Sequence, residues 1–161
     1  MDTADSLSGP FEGFHLAQVN IGRLVAPLHD PAVADFTKNL GRINAQGKSM
    51  PGFVWLLEGD DPELGASDVA WPGDPETIVN LTVWTSIGAL REFAFTGEHR
   101  AFLARRKEFF QAQAVATSAM WWVPDGHRPT VQEAQDRLEH FRRHGATARA
   151  FWFQRPFAPE A

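Results

Sequence analysis

The chain has 161 residues, with 15 Lys and Arg against 20 Asp and Glu, and it contains no cysteine. This length fits one domain that buries a core without cross-links. The missing cysteine excludes disulfides, thiolate metal sites and a cysteine nucleophile, and a net charge of −5 argues against a nucleic-acid partner. Because no apolar run reaches the roughly 20 residues that span a bilayer, we expect a cytoplasmic protein with no membrane partner.

The ends of the chain differ from its middle in composition. Residues 1–13 are polar and contain Gly and Pro, which predicts a disordered or loose N-terminal segment. Pro156 and Pro159 interrupt regular structure near the other end. We therefore expect a single domain over residues 14–155, followed by a C-terminal tail over residues 156–161.

The first half of the domain reads as strand, helix, strand and loop. Residues 14–21 (FHLAQVNI) alternate imperfectly, as in a strand. An Asp-Pro pair at residues 30–31 predicts a helix start, and an apolar stripe continues that helix to about Gln46, with Gly47 as its C-cap. A short apolar strand over residues 53–57 precedes residues 58–76, which hold seven acids and six Gly or Pro and predict a solvated loop without a metal site.

The second half continues with strand, helices, strand, helix and a short strand. Residues 77–84 (TIVNLTVW) are the clearest strand of the chain. Ser86 caps a short helix, and a second helix is expected from Glu98 to about Gln113. Residues 119–123 predict the fourth strand. A capping box at residues 130–133 predicts an amphipathic helix ending near Gly145, and residues 150–153 (AFWF) suggest a closing edge strand.

This order of elements is β-α-β-β-α-β, the ferredoxin-like arrangement of an α+β protein with extra helices. Helices would cover one face of the sheet. The other face would carry Trp84 and one of Trp121 and Trp122, which are too apolar to face water. Two sheets packed face to face would cover them, so a homodimer forming an α/β barrel is predicted.

His99 and Arg106 are the first candidates for chemistry. Seven residues complete nearly two helical turns, so one side of the predicted helix would carry His99, Phe102, Leu103, Arg106 and Phe110. A His and an Arg among large apolar groups are costly to bury without partners. They either line a pocket, with His99 as acid/base and Arg106 binding an anionic oxygen, or reach the protein edge and pair with carboxylates.

Polar residues on the strands and several aromatic residues complete the candidate site. Asn is depleted in strands, so Asn20 and Asn80 either contact a ligand, Asn20 holding the substrate anion, or satisfy the sheet. The substrate-binding wall is predicted to comprise Trp84, Asn80, Phe93, Phe102, Trp122 and His15. The opposite interpretation is that the aromatic residues fill the core and that His15 is structural.

Two groups of segments resemble known families. Residues 81–86 (LTVWTS), followed by Ala89-Leu90, Phe93, and Glu98-His99 with Phe102, resemble the dimeric α/β-barrel superfamily. That superfamily includes antibiotic-biosynthesis-type and haem-degrading monooxygenases. More narrowly, the chain resembles the bacterial family known as domain of unknown function 3291, in its segments FHLAQVN (14–20), WWVPDGHRPT (121–130), Glu133-Ala134 and Arg137-Leu138. The resemblance covers roughly residues 14–153.

The resemblance implies a monooxygenase-like oxidoreductase that acts on a small apolar or aromatic metabolite. Haem-degrading members use a strand Asn, a helical Trp and an axial His. Asn20 matches the strand Asn, but Phe93 stands at the place of the Trp. The axial His would fall near Leu103, one turn beyond His99. The leading interpretation is therefore a cofactor-free enzyme. The alternatives are a non-catalytic ligand- or haem-binding homodimer, and an isomerase or cyclase that uses the same His.

Overall fold

The computed structural model describes residues 7–160. Within this range one antiparallel sheet contains four strands, which are β1 (Phe14–Arg23), β2 (Phe53–Leu56), β3 (Thr77–Trp84) and β4 (Ser118–Pro124). Their order across the sheet is β2-β3-β1-β4. With a helical connection between β1 and β2 and another between β3 and β4, this order confirms the predicted ferredoxin-like α+β fold.

Five α-helices accompany the sheet in the described range: α1 (Ala34–Ser49), α2 (Ile87–Ala94), α3 (Gly97–Ala104), α4 (Arg106–Phe109) and α5 (Val131–His144). Short 3-10 turns over Pro31–Val33 and Pro62–Leu64 precede and follow the α1–β2 unit. The predicted caps are confirmed: Asp30, Ser86 and Thr130 each accept a backbone N–H of the turn that follows. These caps satisfy donors that a helix start otherwise leaves unpaired.

The helix predicted from Glu98 to Gln113 is wrong in its extent. Arg105 leaves helical geometry, with φ −95° and ψ 8°, so the segment forms two short helices. It ends at Phe109 because the chain then pairs with the end of β1: the Phe109 carbonyl accepts the Val25 N–H at 2.8 Å, and the Gln111 N–H donates to the Arg23 carbonyl at 2.8 Å. Gly47 is likewise not a cap, since α1 continues to Ser49.

The edge strand predicted over residues 150–153 is reduced to a single bridge. Phe151 exchanges two backbone hydrogen bonds with Met120 of β4, at 2.8 and 3.0 Å. A tight pairing of Thr147 with Ala150 precedes this bridge, and the Arg155 N–H donates to the Trp152 carbonyl just after it. Turns on both sides therefore limit the pairing to one residue.

One face of the sheet packs against α5 and is named the helix-packed face. Alternate residues of three strands are buried there: Ala17, Val19, Ile21, Val79, Leu81, Val83, Ala119, Trp121 and Val123. Ala134 and Leu138 of α5 and Trp71 of the acidic segment cover them. Strand alternation puts every second side chain on this face, and these alternate positions are the ones occupied by apolar residues.

The opposite face, named the cavity face, is covered by the same chain. Leu16, Trp84, Met120 and Trp122 are buried there against α2 and Phe151. Trp122 donates its indole N–H to the Phe157 carbonyl at 2.7 Å, so part of the segment predicted as a tail belongs to this cover.

The sequence-based argument for a second chain therefore does not hold. Trp84, Trp121 and Trp122 are 1%, 0% and 7% exposed in the single chain, and no partner is needed to shield them. The homodimer stays a prediction.

The N-terminal segment was expected to be loose. Residues 1–6 lie outside the described range. Phe11 packs edge-on against Trp122, with ring centroids 5.0 Å apart, and the Ser8 carbonyl accepts the Ile87 N–H at 2.8 Å. The described part of this segment thus packs on the domain. No helix within residues 7–160 is long and apolar enough to cross a membrane.

Candidate functional site

Polar side chains interrupt the apolar surface of the cavity face near the centre of the sheet. The pairing of β1 with β3 places Gln18 opposite Thr82 and Asn20 opposite Asn80. All four side chains point to the same face, because they alternate with the buried residues of the helix-packed face. A polar cluster on a covered face needs hydrogen-bond partners.

Gln18 supplies most of these partners. Its amide N–H₂ donates to Thr82 Oγ1 at 2.8 Å and to Asn80 Oδ1 at 3.0 Å, and the Trp84 indole N–H also donates to Thr82 Oγ1 at 2.9 Å. With its oxygen occupied by Gln18, the Asn80 amide keeps its N–H₂ group for another acceptor. Asn20 makes no side-chain hydrogen bond to any residue between 7 and 160.

Helices α3 and α4 form a roof above these polar groups, and two ion pairs hold the roof to the first helix. Glu98 of α3 pairs with Arg42 of α1. Arg105 pairs with Asp35 at 2.9 Å. Because both pairs are exposed, each contributes little stability.

Two cavities lie between the cavity face and its cover. The first, about 150 Å³, adjoins α1 and is named the α1 cavity. The second, about 250 Å³, adjoins Trp152 and Phe153 and is named the C-terminal cavity. Both are lined by the same five residues, which are Asn20, Asn80, His99, Leu103 and Arg106. The two cavities therefore adjoin at these shared residues, which include the polar side chains of Asn20, Asn80, His99 and Arg106.

His99 is fixed in one tautomer. Its Nδ1 lies 3.0 Å from the Ala94 carbonyl oxygen, and a carbonyl only accepts, so Nδ1 carries the hydrogen and the neutral ring presents Nε2 as an acceptor. Burial lowers the pKa of His99 below its usual 6.5, against a smaller opposite effect of the Ala94 hydrogen bond. The imidazole is therefore neutral at pH 7 and able to take a proton.

Arg106 is half-buried without a carboxylate partner among the described residues. Its Nη2 donates to the Ile21 carbonyl at 3.3 Å, and its guanidinium lies 4.8 Å from the centroid of the Phe110 ring. Burial alone lowers the pKa of Arg106, which nevertheless stays charged. An uncompensated cation beside a cavity favours binding of an anionic oxygen.

The structure brings together most of the residues predicted for the site. His99, Arg106, Asn20 and Asn80 line both cavities, Phe102 lines the α1 cavity, and Phe93 lines the C-terminal cavity. Phe93 also packs on the His99 ring, with centroids 4.7 Å apart. The broken helix does not separate these residues, because α4 continues the same surface after Arg105.

Three residues predicted for the substrate wall line neither cavity. Trp84 is buried in the core and stacks on Phe93 with centroids 5.3 Å apart, so it supports the wall from behind. Trp122 packs against Phe11. His15 points to the opposite face of the sheet, where its Nε2 lies 3.4 Å from Asp125. Large aromatic residues on the cavity face were predicted as lining, but the helix α2 and the C-terminal segment cover them.

Several residues that line the cavities were not predicted. Gln18 lines the C-terminal cavity together with Trp152 and Phe153. Gln18 shares a strand face with Asn20, so alternation alone could have found it. Trp152 and Phe153 carried no such pattern, because they were expected to form an edge strand.

The described residues contain no cluster of three or more His, Cys, Asp or Glu side chains arranged to hold a metal ion. His127 pairs with Glu133 at 2.7 Å, and the same carboxylate accepts the Trp121 indole N–H at 3.0 Å. His140 and His144 lie together on α5 with ring centroids 4.5 Å apart. All of these lie away from the two cavities.

Comparison with known proteins gives the family. The sequence matches the family described as Domain of unknown function (DUF3291) over residues 15–161, and the chain belongs to that family, as the sequence segments predicted. No curated protein matches the chain.

The chain is similar in structure to several small proteins. A conserved protein from Methanosarcina mazei Go1 is 11% identical with a TM-score of 0.46, over 70% of this chain and 93% of that one. PA3566 from Pseudomonas aeruginosa is 15% identical with a TM-score of 0.47, over 73% and 99%. SnoaB, a cofactor-independent oxygenase from Streptomyces nogalater, is 20% identical with a TM-score of 0.41, over 72% and 95%.

Proposed function

We propose that the chain is an enzyme that removes a proton from a weakly acidic, largely apolar small molecule such as a phenol or an enol. His99 Nε2 takes the proton. Arg106 binds the resulting oxyanion, and the amides of Asn20 and Asn80 donate hydrogen bonds to it. Asn20, Asn80, His99 and Arg106 all line both cavities.

One observation carries this proposal: a neutral imidazole and an uncompensated guanidinium line the same apolar cavities. A structural role would favour a carboxylate partner for Arg106, as Arg105 has in Asp35 and Glu108. The base and the cation instead complement each other, because a proton leaves the substrate where a negative charge is stabilised.

The proposed second step is oxygenation, which rests on the resemblance to monooxygenases. The substrate anion transfers one electron to O₂, and the radical and superoxide combine to form a carbon–oxygen bond. The His99 imidazolium returns its proton to the peroxide, which loses water and leaves a carbonyl group. One O₂ is consumed and one water is released for each carbon oxidised, and no further reductant enters.

Two alternative functions use the same residues differently. An isomerase or cyclase would return the proton to another atom of the substrate without consuming O₂. A haem-binding protein would use His99 as the axial ligand.

Binding of 1-naphthol tests the proton transfer, because the naphtholate ion has its own absorption spectrum. The wild-type protein is expected to ionise bound 1-naphthol at pH 7, whereas His99→Gln and Arg106→Met are expected not to. His29→Gln, at an exposed position, is the matched control and should ionise it as the wild type does. Ionisation that is equal in all four proteins, or absent in all four, contradicts the proposal.

Oxygen uptake then separates the oxygenase from its alternatives. Conversion of 1-naphthol to a naphthoquinone should consume one O₂ and release one water. We expect His99→Gln to slow this reaction by about 10²- to 10⁴-fold, the usual contribution of a general base. Ionisation without oxygen uptake would favour the isomerase or cyclase, and a Soret band in the purified protein would favour the haem-binding protein.

A further inference from the structure

The distribution of polar and apolar lining residues has a clear pattern across the two cavities. The shared residues include His99 and Arg106, the base and the cation of the site. The α1 cavity is otherwise lined mainly by apolar residues, among them Phe36, Leu40 and Phe102. The chemistry is therefore concentrated at the junction between the cavities.

The far side of the junction is also mainly apolar. The C-terminal cavity is walled by Leu90 and Phe93 of α2 and by Trp152 and Phe153 of the C-terminal segment. Its own polar residues are Gln18 and Thr82, which already hydrogen-bond to each other, and Thr117 and Ser118 where β4 begins. A ligand group in this cavity would therefore meet mainly aromatic surface, supplied by Phe93, Phe95, Trp152 and Phe153.

We propose that the substrate has its acidic centre in the middle, between two apolar arms of unequal size. This inference rests on the proposed function and adds the architecture of the substrate. The shorter arm occupies the α1 cavity of about 150 Å³, which matches one six-membered ring. The longer arm occupies the C-terminal cavity of about 250 Å³, which holds a larger or substituted ring. An acidic group at one end of a molecule would leave one cavity unfilled.

Three 1,3-diketones test this architecture, because each has an acidic carbon between two carbonyl groups and its enolate absorbs differently from the neutral form. They are pentane-2,4-dione with no aromatic arm, 1-phenylbutane-1,3-dione with one, and 1,3-diphenylpropane-1,3-dione with two. Each added arm is expected to tighten binding at least about tenfold, since burying a ring-sized apolar group removes its surface from water.

Two cavity-filling variants show which arm lies in which cavity, and both leave the five residues shared by the cavities unchanged. Ser67 lines only the α1 cavity and Thr117 lines only the C-terminal cavity. Ser67→Leu should weaken binding of the two-armed diketone about tenfold and leave the one-armed diketone unchanged, because a single arm takes the larger cavity. Thr117→Leu should weaken both. Thermal unfolding confirms that each variant is folded.

The outcomes separate this inference from the function on which it rests. Equal affinity for the one-armed and two-armed diketones, equal effects of the two variants, or no binding of any diketone overturns the two-armed substrate. Should the enolate form while the arms add nothing, only the architecture fails. If two arms bind tighter but no diketone ionises on binding, the architecture holds and the proposed proton transfer fails.

Discussion

The two faces of the sheet use the same four strands for different purposes. On the helix-packed face, nine alternate residues are apolar and are buried against α5 and Trp71. On the cavity face, Gln18, Asn20, Asn80 and Thr82 interrupt the apolar surface, and two cavities separate part of the sheet from its cover. One face is covered by buried apolar side chains, whereas the other retains space beside polar groups.

This difference shows how a fold keeps a site inside its core. Polar side chains on a covered strand face are costly unless they are paired. Gln18 pairs with Asn80 and Thr82, which holds the strand residues in place and still leaves donors and an acceptor at the cavities. The helix-packed face therefore contributes to stability alone, whereas the cavity face contributes both to stability, through its own buried apolar residues, and to ligand binding.

The largest expected effect is on stability, and it compares a residue that covers the helix-packed face with one in the roof above the cavity face. Leu138→Ala, at a fully buried position of α5, should lower the free energy of unfolding by about 2–5 kcal/mol, because it leaves a cavity in close packing. Leu103→Ala, at a roof position that is 38% exposed, should lower it by about 1 kcal/mol or less. Urea unfolding measures both. Equal losses would mean that the two faces do not differ as described.

The next effect concerns Arg106, for which stability and binding should change in opposite directions. Arg106→Met removes a charge-assisted hydrogen bond to the ligand and should weaken naphtholate binding by about 1.5–3 kcal/mol. The free energy of unfolding should stay the same or rise, because the cost of burying an unpaired charge disappears.

Arg105→Met is the control for Arg106→Met. Arg105 is paired with Glu108 and Asp35, so its replacement should leave naphtholate affinity unchanged and lower stability only slightly, because exposed ion pairs contribute little. A loss of stability in Arg106→Met that exceeds this would show that Arg106 is a structural residue.

A smaller effect is expected for the polar pairing on the cavity face. Gln18→Met removes the donor to Asn80 and Thr82 and should lower the free energy of unfolding by about 1–3 kcal/mol, since the half-buried Asn80 oxygen loses its donor and the buried Thr82 hydroxyl keeps only that of Trp84. Naphtholate binding should weaken as well, because Asn80 is no longer held. Chemical unfolding and spectroscopic titration measure the two quantities; unchanged binding would mean that Gln18 does not position Asn80.

The smallest effect is on the pH dependence of stability. Burial lowers the pKa of His99 in the folded state below 6.5, so the unfolded chain binds a proton more readily than the folded one. The contribution of this pKa difference to the free energy of unfolding is complete above pH 6.5. It is lost as the pH falls through the pKa of His99 in the folded state. Compared with His29→Gln, His99→Gln should lose less stability between pH 7 and pH 5. If the free energies of unfolding of the two variants change with pH in the same way, the lowered pKa of His99 is contradicted.

The strand pattern predicted the fold because the apolar residues of β1, β3 and β4 alternate with period two. Sequence spacing also placed His99 and Arg106 on one side of a helix, either lining a pocket or reaching the protein edge, and both residues line the cavities. It failed where contacts distant in sequence decide the structure. Arg105 breaks the predicted helix because the following residues pair with the end of β1, and Phe151 forms one bridge rather than a strand.

The homodimer argument failed for a related reason. Periodicity shows that Trp84 and Trp122 must be covered, but it does not show which segment covers them. The C-terminal residues Phe151 and Phe157, which have no repeating pattern, pack on this face. A cover built from irregular segments cannot be inferred from the periodicity of the strands that it protects.

The central claim is that His99 is a neutral base whose Nε2 faces the cavities. Long-range ¹H–¹⁵N NMR of the ¹⁵N-histidine-labelled protein reports both the tautomer and the pKa of this ring, with His99→Gln giving the resonance assignment. We expect a hydrogen on Nδ1 of His99, an unprotonated Nε2 and a His99 pKa below 6.5. A hydrogen on Nε2 in the neutral ring, or a pKa at or above 6.5, would contradict it.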